Sequence, residues 1–128
     1  MIYLDTSVAL AHILAEEQFP SPELWEHPLL SSRLLEYEVW VRLNRAGLAT
    51  THGDEARALL NRVALLEMVR PILVRALEPF PRPVRTLDAL HLASIAFLHS
   101  LGQRVPLATY DGRMRTAAGA MDIPLHRL

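Results

Sequence analysis

The stretch RTLDALHLASIAF, residues 85–97, carries the pattern that decides how the 128-residue chain folds. Its apolar residues fall on nearly every side of the helix that the spacing predicts, from about Thr86 to Leu101, with Gly102 as the stop. A helix that is apolar all round must be covered on more than one side. Yet Asp88 lies in its first turn and His91 follows one turn later. A carboxylate in such surroundings is costly unless a cation or hydrogen bonds hold it.

Working outward, the flanking segments are short and apolar. MIYLD stops at Asp5 and runs into TSVALAHILAEE, which reads as a buried strand entering a helix. FPSPELWEHP is a proline-punctuated connection with room for a short helix. LLSS reads as a second strand, followed by the helix LLEYEVWVRLNRAG, closed by Gly47. THGDEARALLNRVALLEMV reads as a third helix with Asp54 as its cap, its tail at Met68 and Val69 passing into a strand. PILVRALEPFPRP gives a short helix with Pro71 at its start. Beyond residues 85–97, VPLATYDG is a strand and an Asp-Gly turn, RMRTAAGAM a short helix and IPLHRL a last strand. Short apolar strands alternating with helices predict a three-layer α/β/α sandwich around a small, mostly parallel sheet. No repeat or linker interrupts the chain, so one domain over residues 1–128 is expected.

Composition narrows the chemistry. There is no cysteine, which excludes disulfides, thiolate zinc sites and cysteine nucleophiles. No apolar run approaches the roughly 20 residues that span a bilayer, and the N-terminus lacks signal-peptide character, so the cytoplasm is the expected location. Net charge is −1, so no global basic field advertises a nucleic acid. All 13 basic residues are arginine, and each is a planar fork suited to phosphate or carboxylate.

The acids stand out by position. Asp5 and Asp111 follow strands, and ligands of open parallel sheets bind beyond the carboxyl ends of the strands. Glu38 and Asp88 lie in the first turns of helices that begin at that same edge. Each acid alone has a plain structural use: Asp5 as a cap, Asp111 in a turn, Asp88 against the helix dipole, Glu38 in a pair with Arg42. Together they would crowd. At about 4 Å and an effective dielectric near 20, two carboxylates repel by roughly 4 kcal/mol. Mg²⁺ or Mn²⁺, both hard ions that take oxygen ligands, would remove that conflict. Thr6 and Thr109, next to proposed ligands, are candidates to touch a ligated water. His91 has the position of a hydrogen-bonded core residue. Such a site suits hydrolysis of phosphate esters by a metal-activated water, with arginines such as Arg33, Arg85, Arg113 or Arg115 steadying the phosphodiester.

Four fragments, YLDTSVAL, SSRLLEYEVWVRLNR, RTLDALHLASIAF and LATYDGRMRTAAGAMDIPL, resemble in order and spacing the PIN-domain ribonuclease family, in particular its VapC-type toxin branch. The resemblance implies an acidic Mg²⁺ or Mn²⁺ pocket that cuts RNA. Asp5, Glu38, Asp88 and Asp111 match the family's acidic positions; Glu36, a neighbour of Glu38, lies on the opposite side of its helix. It also implies a homodimer and a cognate antitoxin that blocks the pocket. Trp40, on the outer side of the Glu38 helix, suits either a partner surface or the core.

Other readings fit less well. A phosphate-accepting signalling domain normally needs a lysine, and this chain has none. No glycine-rich phosphate loop follows the first strand. A silent PIN-fold module that binds RNA or protein, or a housekeeping PIN nuclease without an antitoxin, remains the alternative. The silent module would be marked by a lost carboxylate, and all four are present.

Overall fold

Alternation along the strands sets the layers. In the computed structural model, which describes residues 1–128, the strands are β1 (Ile2–Leu4), β2 (Leu29–Ser32), β3 (Val63–Leu66) and β4 (Leu107–Ala108). They form one sheet in the order β3-β2-β1-β4, and every pairing is parallel. Successive side chains point to opposite faces. Thus Ile2, Leu4, Leu29 and Val63 join one core, while Tyr3, Leu30 and Leu107 join a second.

The first core is closed by α1 (Thr6–Ile13), α2 (Arg33–Arg45) and α3 (Ala49–Asn61), through Val8, Leu35, Val39, Leu43 and Leu59. The second is closed by α5 (Thr86–Ser100) and α6 (Gly112–Ala120), through Leu92, Ile95 and Met114. A shorter helix, α4 (Arg70–Ala76), packs on α5. Helices on both faces of a parallel sheet give the expected α/β/α sandwich. Residues 85–97 are apolar all round because α5 lies between the sheet and α4. No helix is long and apolar enough to cross a membrane.

Most element boundaries follow local chemistry. Ser32 caps α2 by accepting from the Leu34 N–H, and Pro71 sits at the start of α4. Gly47 and Gly102 end α2 and α5 at φ +70° and +81°, the left-handed region that glycine enters without a Cβ clash. The proline-rich connection holds a 3₁₀ helix, Pro22–Glu26.

Three expectations are corrected. The third helix does not reach Met68: it ends at Asn61, and the strand lies earlier, at Val63–Leu66. The run VALLEMV has no clear period, and pairing with β2 decides its state. Asp54 is not a cap. The helix α3 starts a turn earlier, behind Leu48, and Asp54 instead pairs with Arg57 at 2.8 Å. The last segment, expected as a strand, makes a single parallel bridge, Leu107 to Leu125. Trp40 is half-buried against the first core, with the Arg57 guanidinium over its ring at 5.4 Å.

Candidate active site

The parallel sheet turns the carboxyl ends of β1, β2 and β4 to one edge, and the acids gather there. Asp5 follows β1 directly and is almost fully buried. Its Oδ2 caps α1, accepting from the Ser7 N–H at 3.3 Å and the Ser7 hydroxyl at 2.6 Å. The same oxygen accepts from the Thr109 hydroxyl at 2.7 Å. Thr109 in turn accepts from the Asp111 N–H at 3.0 Å. One threonine thereby ties the ends of β1 and β4 together. Asp111 caps α6 through Oδ1, which accepts from the N–H groups of Arg113 and Met114. The capping role read for Asp5 is therefore real, and Asp111, read as a turn residue, is a cap as well; both roles coexist with a place at one edge of the sheet.

Glu38 enters from α2. Its Oε1 accepts from the Thr6 hydroxyl at 2.9 Å and lies 2.6 Å from His91 Nε2. It makes no ion pair with Arg42. The other nitrogen of His91, Nδ1, lies 2.7 Å from the Tyr3 hydroxyl. Both rings are fully buried. Burial holds the Tyr3 hydroxyl neutral by pushing its pKa well up, and the nearby Asp5 charge adds to this. An ionised carboxylate only accepts, so Nε2 carries the proton that faces Glu38. Tyr3 had no place in the sequence reading. Its clue is the pleat: residue 3 faces the α5 side of the sheet, as His91 does from the helix.

Asp88 sits in the first turn of α5. Burial raises its pKa, the neighbouring Asp5 and Asp111 charges push the same way, and Arg85 opposes them. Arg85 Nε donates to Asp88 Oδ2 at 3.1 Å, and its Nη2 donates to Asp111 Oδ2. Of the four arginines named as candidates, Arg85 thus reaches the carboxylates. Arg33 is drawn away to Glu36 and Glu67, and Arg115 reaches the Thr109 carbonyl. Glu36 lies away from the acids, paired with Arg33.

The donor set suits a hard divalent ion. Asp5, Glu38 and Asp88 each commit one carboxylate oxygen to protein donors, while Asp5 Oδ1, Glu38 Oε2 and Asp88 Oδ1 have no protein partner. None of these three oxygens is sealed from solvent. As they stand, no three of the acidic or imidazole groups form a ready metal cage. The cation between Asp88 and Asp111 is the guanidinium of Arg85.

Comparison with known proteins fits this arrangement. The family model described as PIN domain matches residues 2–120. Ribonuclease VapC46 of Mycobacterium tuberculosis is 36% identical over 122 residues, covering 91% of this chain and 89% of that protein. Ribonuclease VapC35 of the same species is 32% identical over 133 residues, covering 96% and 93%. In fold, a chain of a toxin-antitoxin complex from Klebsiella pneumoniae matches with a TM-score of 0.68 at 17% identity, over 98% of this chain and 97% of that one. The chain belongs to the PIN domain family, with VapC ribonucleases among its relatives.

Proposed function

We propose that the chain is a metal-dependent endoribonuclease, the toxin of a type II toxin–antitoxin pair, acting as one catalytic unit over residues 1–128. The relatives named as VapC ribonucleases support the activity, and the toxin–antitoxin complex of the same fold supports the pairing. A cognate antitoxin, a homodimer and a cytoplasmic location belong to the same reading. The exposed apolar side chains of α4, Leu73 and Val74, with Leu77 beside them, favour a partner surface.

The observation that carries the proposal is the set of carboxylate oxygens left without protein partners on Asp5, Glu38 and Asp88, which lie along one edge of the sheet. Asp5, Asp88, Asp111 and Glu38 would hold Mg²⁺ or Mn²⁺ there, with Thr6 and Thr109 fixing Glu38 and Asp5. A bound ion would supply Lewis acidity at a phosphoryl oxygen and lower the pKa of a water, making a nucleophile available at neutral pH. The protein supplies the rest. His91 and Thr6 hold Oε1 of Glu38, so that Oε2 is presented as a proton acceptor for an attacking water. Arg85, released from Asp88 and Asp111, is placed to neutralise a non-bridging phosphate oxygen. No protein nucleophile is needed.

The test is incubation of purified protein with cellular RNA in Mg²⁺, Mn²⁺ or EDTA, followed by sequencing of the new ends. Discrete ends that appear with metal and vanish with EDTA are expected. An RNA population left intact under every condition would overturn the proposal.

A further inference from the structure

We infer that the RNA strand crosses the acidic pocket between two arginine walls, Arg42 with Arg45 on one side and Arg82 with Arg113 on the other, with a base stacked on Tyr37. This rests on the ribonuclease reading and adds the path of the substrate to it.

Four acids along one edge of the sheet repel a polyanion, so the strand must be held from beyond them. Two hollows flank the carboxylates. The first, about 370 Å³, is bordered by Thr6 and Glu38 on the site side and by Tyr37, Arg42, Arg45 and Arg85. The second, about 230 Å³, is formed by Arg82, Pro83, Arg113 and Thr116. It adjoins the site through Arg113, whose N–H donates to Asp111.

The state of the arginines, together with their place at the hollows, separates these walls from ordinary surface charge. Arg33, Arg57 and Arg85 are paired with acids, and Arg62, Arg75, Arg104 and Arg115 donate to backbone carbonyls. Six arginines make no side-chain bond within the chain and are exposed: Arg42, Arg45, Arg82 and Arg113, which line the two hollows, and Arg70 and Arg127, which line neither. Arg42 is free because its natural helical partner, Glu38, is held by His91 and Thr6. An unpaired guanidinium fork fits a phosphate diester. Tyr37 is 60% exposed beside the first pair, whereas Leu35, Val39 and Leu43 of the same helix pack into the core. An exposed aromatic beside cationic forks is the usual platform for an unstacked base.

The experiment is fluorescence anisotropy of a short labelled single-stranded RNA of mixed sequence, with Ca²⁺ replacing Mg²⁺ to suppress cleavage, repeated over a salt series. Paired Mg²⁺ assays give kcat and KM. The double variants R42Q/R45Q and R82Q/R113Q should each weaken binding about tenfold. Each should also flatten the plot of log affinity against log salt by about 0.7 for every lost phosphate contact. KM should rise while kcat holds. Tyr37→Ala should weaken binding about tenfold and Tyr37→Phe should restore it. Arg127→Gln, by the segment that enters β2 at its amino end, should bind like the parent.

If the parent cuts RNA and both double variants bind like it, the path is wrong while the ribonuclease reading stands. Loss at one wall alone also overturns the path. If the parent neither binds nor cuts RNA, the ribonuclease reading falls and takes the path with it.

Discussion

His91 Nε2 lies 2.6 Å from Glu38 Oε1, and both end against the hydroxyl of Thr6, the residue after Asp5. A fully buried imidazole therefore fixes a carboxylate that reaches the site from another helix. Tyr3 completes the relay from the sheet. The relay gives the core of α5 a direct hold on the geometry of the pocket.

Removing that hold should cost both folding and function. His91→Ala leaves the Tyr3 hydroxyl and one carboxylate oxygen short of a partner and opens a cavity. A loss of about 3–5 kcal/mol is expected in urea unfolding. Tyr3→Phe removes one bond to a buried nitrogen and should cost about 1–3 kcal/mol, with a smaller loss of cleavage than His91→Ala.

Asp88 should give the metal-free protein a distinctive response to pH. Its pKa is raised by burial, with Asp5 and Asp111 adding to it. Between the ordinary aspartate range and that raised value, the folded form holds more protons than the unfolded form. Stability therefore falls as pH rises through the window and is greatest below it. Asp88→Asn should remove this slope, match or exceed the parent in stability at neutral pH without metal, and lower cleavage by about a hundredfold or more. Urea melts in EDTA between about pH 4 and 7 check the first two points.

Arg85 competes for the carboxylates that the proposed ion needs. Arg85→Gln should destabilise the metal-free protein, because Asp88 and Asp111 lose their cation. It should also tighten Mn²⁺ binding, by about tenfold if the exchange is worth about 1.4 kcal/mol. Thermal unfolding with and without Mn²⁺ reads both effects. A variant whose Mn²⁺ affinity matches or falls below that of the parent would make Arg85 a support for the site and not a competitor.

Much of this was legible in the residues. Short apolar runs ending at Asp5 and before Asp111 announced parallel strands whose carboxyl ends share an edge, and the placing of four acids along that edge followed from that topology. The boundary at Val63 was not legible, because VALL satisfies helix and strand alike until β2 is beside it. Asp54 misled because a capping residue and a helical ion-pair residue look the same without a register. Tyr3 and the role of His91 were hidden because their bonds join residues far apart in the chain. Arg85 stood among four equal candidates until the turn at Asp111 brought it to two carboxylates.

The most direct measurement is calorimetric titration of Mn²⁺ into the parent, Asp5→Asn and Asp88→Asn, each first shown to be folded. Saturable binding by the parent is expected, weakened at least about tenfold by either substitution. Equal affinity in all three proteins would contradict it, because the ion would then be held somewhere other than among these carboxylates.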